Sequence, residues 1–110
     1  MKLRTLAVLI GIGFSSQHTQ AGVFLSGNTL YGYINGSNPY DQNDALGFIS
    51  GIADAETTLD KQRFCMPDQV SRGQAKDIVT NYLSAHPELR HYSAAYLAVT
   101  SFIAAFPCRK

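Results

Sequence analysis

The chain has 110 residues, with nine lysines and arginines against eight aspartates and glutamates. That length holds one modest domain. The near-neutral balance gives no electrostatic drive towards nucleic acid or an anionic membrane surface, which excludes the binding classes that need a strong positive field.

Residues 1–21 read as a secretory signal peptide. Met1-Lys2-Leu3-Arg4 is a short cationic start, residues 5–14 are an apolar run, and Thr19-Gln20-Ala21 places small residues at −3 and −1. The apolar run is too short for a bilayer-spanning helix, which takes about 20 residues. No cysteine stands near the cleavage point, which argues against a lipoprotein. The expectation is cleavage after Ala21, a mature domain over 22–110 and a bacterial periplasmic location. Losing Lys2 and Arg4 leaves seven basic against eight acidic residues, a net charge near −1. The two cysteines, Cys65 and Cys108, both lie in the mature part. In an exported chain that count reads as one disulfide, with two buried thiols as the alternative.

The first helix is expected over about 28–35, capped by Ser26 or Asn28. Leu30, Tyr31, Tyr33 and Ile34 give it apolar bulk, while Gly32 and Gly36 weaken it. Ser37-Asn38-Pro39-Tyr40 then reads as a loop. Asp41 is the expected cap of the second helix, whose Ala45, Phe48, Ile49, Ile52 and Ala53 recur with helical spacing. Gly47 and Gly51, four apart, suggest a close helix contact. Polar residues gather from Glu56, and Met66-Pro67-Asp68 is a turn.

The third helix has the clearest local signature. Ser71 and Gln74 form a capping box, Val70 is placed as a hydrophobic staple, and Ala75, Ile78, Val79, Tyr82 and Leu83 share one face. His86-Pro87 ends it. The fourth helix is expected over about 93–106, with Tyr96, Val99, Ile103 and Phe106 on its apolar side and five alanines keeping the rest slim. The expected fold is all-α: a small four-helix domain without a sheet, its second, third and fourth helices committing their apolar faces to the core.

Chemistry-bearing clusters are sparse. His86 and His91, with Glu88 between them, lack the i, i+4 spacing of a helical zinc motif and the three ligands of a catalytic site. They read as residues fixing a helix–helix turn. A Cys–His dyad would need a thiolate kept out of the disulfide. Asp54 and Glu56 are two apart and face different ways on a helix. No enzyme, metal or cofactor is implied. The six tyrosines fit either a half-buried role in a small core or a contact surface.

The segments Gly47-Phe48-Ile49-Ser50-Gly51-Ile52-Ala53-Asp54-Ala55, Phe64-Cys65-Met66-Pro67, Val70 to Gln74, Tyr82-Leu83-Ser84-Ala85-His86-Pro87-Glu88 and Ala105-Phe106-Pro107-Cys108 form an ordered series. In order and spacing it resembles the Tai/Rap family of type VI secretion amidase-immunity proteins, over residues 28–108. The resemblance implies a periplasmic, all-helical and often homodimeric protein without catalytic activity. Its partner would be a cysteine peptidoglycan amidase, which it binds and blocks. The family's two cysteines fall on Cys65 and Cys108. Many members carry a further pair, and here those positions hold Ile34 and Ala45, which leaves the first helix less tethered.

An inhibitor of such an amidase must occlude a cleft. The candidate partner-binding surface is therefore the outer face of the third helix, with Arg72, Lys76, Asp77 and Thr80, joined to the turn bearing His86, His91 and Tyr92. The fallback is the loop over 37–43. Two other functions compete: an orphan periplasmic binder of the same fold, and an acid-stress chaperone whose opening His86 and His91 would bias.

Overall fold

The computed structural model describes residues 23–109, so the expected signal peptide lies outside the described residues. Four α-helices follow one another: α1 (Gly27–Asn35), α2 (Pro39–Glu56), α3 (Arg72–Ala85) and α4 (Ala94–Ala105), with a 3₁₀ turn at Pro87–Leu89 before α4. Among the described residues there is no strand; one isolated antiparallel bridge joins Ser26 to Ser93. The fold is all-α, pinned by the Cys65–Cys108 disulfide.

Each helix start has a side-chain oxygen to accept its otherwise orphaned N–H groups. Ser26 Oγ accepts from Thr29 N–H at 3.1 Å, and Ser93 Oγ accepts from Tyr96 N–H at 3.1 Å. The capping box of α3 is complete: Gln74 N–H donates to Ser71 Oγ at 3.1 Å and Ser71 N–H donates to Gln74 Oε1 at 2.8 Å. At α2 the cap is Asn38, not Asp41. Asn38 Oδ1 accepts from Tyr40 N–H at 2.8 Å and Asp41 N–H at 3.3 Å. Pro39, expected in a loop, begins the helix, where its missing N–H costs nothing and its fixed φ suits the first turn. Asp41 then sits inside that turn, where its charge meets the positive end of the dipole.

The N-terminal segment runs beside the approach to α4. Gly27 N–H donates to Tyr92 O at 2.8 Å, Asn28 N–H to Arg90 O at 2.7 Å, and Ala94 N–H to Leu25 O at 2.8 Å. This approach requires glycine at 27: a Cβ there would collide with Leu97 Cδ1 and lie 2.8 Å from Arg90 O. The Arg90 guanidinium closes the junction from above, 4.1 Å from the Tyr31 ring centroid.

The core gathers Leu30 from α1, Ala45 and Ile49 from α2, Ala75, Val79 and Leu83 from α3, and Ala94, Leu97, Ala98 and Phe102 from α4. Phe64 enters from the α2–α3 connection and meets Phe102 with ring centroids 5.1 Å apart. Two sequence expectations fail here. Gly47 and Gly51 are exposed, with nothing within 4 Å of a built Cβ, so they make no close helix contact. On α4 the buried side is Ala94, Leu97, Ala98, Ser101 and Phe102; of the expected core side, Val99 and Phe106 pack against the core from its edge, whereas Tyr96 and Ile103 are exposed. Small residues lie where neighbouring helices approach, and a tyrosine ring with its hydroxyl does not fit there.

The α2–α3 connection is tied at its base. Glu56, the last residue of α2, is 2 % exposed. Its carboxylate accepts from Arg63 N–H, from Arg63 Nη2 at 2.7 Å and Nε at 3.1 Å, and from Phe64 N–H at 3.3 Å. Burial pushes this carboxyl up, but the donors and charge of Arg63 with the Phe64 N–H outweigh it and hold it below its ordinary value. Just beyond, Cys65 N–H donates to Phe106 O at 2.8 Å and the disulfide fixes Cys65 to the C-terminal segment. Residues 57–62 between these ties are exposed throughout.

Candidate functional site

The candidate surface divides into three places. At the start of α3, Arg72 Nε donates to Ser50 Oγ at 3.3 Å, across a shallow groove also lined by Asp54, Asp68 and Met66. One turn on, Lys76 Nζ stands 3.6 Å from Asp77 Oδ1, and Thr80 Oγ1 donates to Lys76 O at 2.7 Å. Thr80 thus spends its hydroxyl proton on its own helix. Lys76 lines a second groove, with Ile34, Gln42, Asn43 and Leu46 of α1 and α2.

His86 lies at the far end of α3, about 20 Å from Arg72 at 1.5 Å per residue. Its ring packs on Tyr82 with centroids 4.4 Å apart, and its Nδ1 lies 3.2 Å from Glu88 Oε2. The hydrogen bonds that Glu88 accepts from its own N–H and from His86 hold its carboxyl below the ordinary value. His91 and Tyr92 make the third place. Their rings lie 4.3 Å apart, Tyr92 is 5.7 Å from Tyr96, and a shallow hollow joins them to Val23. Tyr92 therefore belongs to the outward face of α4.

That face was missed in the sequence reading. Tyr96, Val99 and Ala95 border Ile52 and Ala55 of α2, while Phe24 and Phe48 extend the apolar area beyond Ala95. The tyrosines split accordingly: Tyr40, Tyr92 and Tyr96 are exposed, whereas Tyr31, Tyr33 and Tyr82 pack against the core. The overlooked signal was α4 itself, which is apolar on two sides and cannot bury both in a chain this small.

Among the described residues no three His, Cys, Asp or Glu side chains gather as a metal site would require, and both sulfurs are committed to the disulfide. No described helix is long and apolar enough to cross a membrane. The geometry offers surfaces for a macromolecule, one polar and divided along α3, one apolar and continuous along α4. A family model, described as Rap1a immunity proteins, matches residues 26–108. No curated protein matches the chain.

Proposed function

Because the chain belongs to the Rap1a immunity proteins, we infer that it is exported to the periplasm. There it binds and inhibits a cysteine peptidoglycan amidase delivered by type VI secretion. The family match carries the reading, since it takes in nearly all of the chain that follows the expected signal peptide, and immunity proteins bind an effector instead of turning over a substrate. The amidase and the compartment rest on the ordered motifs, on residues 1–21 and on the cysteine pair, whose disulfide suits an oxidising space.

Effector contact is assigned to the polar face of α3 and the turn after it, through Arg72, Lys76, Asp77, Thr80, His86, His91 and Tyr92. A footprint bridging both ends of α3 spans about 20 Å, which a standard interface of roughly 800 Å² per partner accommodates. Charged groups at its rim would steer association, and the aromatic end would slow dissociation.

The test is co-expression with a cysteine peptidoglycan amidase of the type VI effector class, directed to the periplasm. Cells should lyse with the toxin alone and survive with the full-length chain. Deleting residues 1–21 should abolish survival while purified protein still inhibits the amidase. Lysis despite full export would sink the reading, and would leave the chaperone, for which the apolar face of α4 would be the client site.

A further inference from the structure

The turn between α3 and α4 holds a guanidinium with no acceptor inside the chain. Arg90 is half-buried, with its planar group 4.1 Å from the Tyr31 ring centroid. Its Nε is the one buried side-chain nitrogen or oxygen among the described residues that lacks a hydrogen-bond partner. Its two terminal nitrogens lack one too, but they are not closed off and reach the surface. The nearby carboxylate of Glu88 is engaged elsewhere, 3.2 Å from His86 Nδ1, and the ion pairs among the described residues leave Arg90 out.

An unpaired guanidinium in this setting does not stabilise the fold. A buried donor without an acceptor gives up its water hydrogen bonds and gains none in return. A surface arginine ordinarily escapes that cost by carrying its charged head into solvent on a flexible stem. Arg90 does not, because its backbone and its head are both held. Its carbonyl accepts from Asn28 N–H at 2.7 Å, and its N–H donates to Pro87 O at 3.4 Å. A Cβ at residue 27 would lie 3.0 Å from its Cα, so only glycine fits beside it. The Tyr31 ring then holds the guanidinium by cation–π attraction, which satisfies none of its N–H donors. The result is a rigid fork with outward N–H groups, the arrangement that takes a carboxylate through two parallel hydrogen bonds. Little side-chain freedom is left to lose when it does so.

We propose that Arg90 anchors a partner protein's acidic side chain, an aspartate or glutamate that meets the stacked guanidinium end-on through its terminal nitrogens. On the reading of the chain as an amidase inhibitor, on which this rests, that acidic residue belongs to the effector. A single carboxylate suits the site and a polyanion does not. The near-neutral chain offers no field to hold a polyanion, and exposed Glu88 stands two residues away to repel its further charges. Position supports the assignment: Arg90 lies between the His86 end of α3 and the His91–Tyr92 pair, so one footprint takes in all three. An arginine held in a preformed pocket, with weaker polar contacts around it, is the kind of residue that dominates interface energies.

The test uses a cysteine amidase that the full-length chain neutralises in co-expression. Arg90→Met keeps a stem to cover Tyr31 but removes the fork, and should raise the dissociation constant at least about 30-fold. Arg90→Lys keeps the charge and should recover little of that loss, because an ammonium is a point charge without the fork. Both variants should retain the helical circular dichroism and the melting of the wild type. Wild-type affinity in either folded variant overturns the proposal and leaves the immunity reading standing. Failure of the wild-type chain to neutralise any such amidase removes both. A measurement on the wild type covers variants that do not fold. Phenylglyoxal should modify Arg90 in the free chain, read by mass spectrometry, and bound amidase should protect it. An Arg90 that is inert in the free chain, or that reacts equally in the complex, overturns the proposal as well.

Discussion

Helices α3 and α4 are neighbours of similar length that solve opposite problems. Helix α3 is one-sided: Ala75, Val79 and Leu83 are buried, and Arg72, Lys76 and Asp77 face out and find partners within the chain. Helix α4 is apolar all round, buries Leu97 and Phe102, and leaves Tyr96 and Ile103 in the open. A one-sided helix announces its orientation through its periodicity, whereas an all-apolar helix does not. The second kind must be buried on both sides or wait for a partner.

The largest test of that contrast sets two adjacent residues of α4 against each other. Phe102→Ala should cost about 3–5 kcal/mol in chemical denaturation, because it empties a buried site against Phe64. Ile103→Ala should move the stability of the monomer by no more than about 0.5 kcal/mol. Equal losses at both positions would erase the distinction between the two sides of the helix.

The disulfide comes next, because it holds the C-terminal segment after α4. Its partners are 43 residues apart, and Cys65→Ser should lower stability by about 2–5 kcal/mol. The loss should be read with hydrogen exchange, which is expected to rise first after Ala105 while α3 stays protected. A rise confined to α3 would contradict the placement of the bond.

Glu56 gives a smaller effect with a pH signature. Its folded carboxyl sits below the ordinary value of 4.5, so its contribution is fully present above about pH 4.5 and is lost as pH falls through the lower folded value. Glu56→Gln should cost about 1–3 kcal/mol at neutral pH, since donors aimed at a charge are left with a weaker acceptor. It should also flatten the acid side of the stability profile. A variant as acid-sensitive as the wild type would show that other carboxylates set that limb. Smallest of all, Ser71→Ala should remove about 1 kcal/mol through the cap of α3; no change would mean the capping box is redundant with packing.

Much of the fold was legible in the chain because its signals are local. The capping box at Ser71 and Gln74, the stripe from Ala75 to Leu83 and the stop at Pro107 depend on a few neighbouring residues. The lost features depend on the tertiary surroundings. Asn38 and Asp41 are both good caps, and only the preference of Pro39 for the first turn decides between them. Glu56 read as the start of a polar tail because nothing local says that Arg63 and Phe64 will turn back to it. The α4 face was half misassigned: Val99 and Phe106 do pack against the core, but Tyr96 and Ile103, on the same regular stripe, are exposed. Of the candidate surface, the residue types were legible, but their division between the two ends of α3 and the outward face of α4 needed the packing.

The neck formed by Glu56, Arg63 and Phe64 separates two kinds of evolutionary freedom. It closes the base of the connection without using any side chain of residues 57–62, so changes in those six positions leave the ties intact. Such a segment can be rewritten quickly, lengthened or diversified, while substitutions at 56 or 63 are punished at once. Surface chemistry at the tip can therefore change while the scaffold stays as it is, an asymmetry that suits a member of an immunity-protein family.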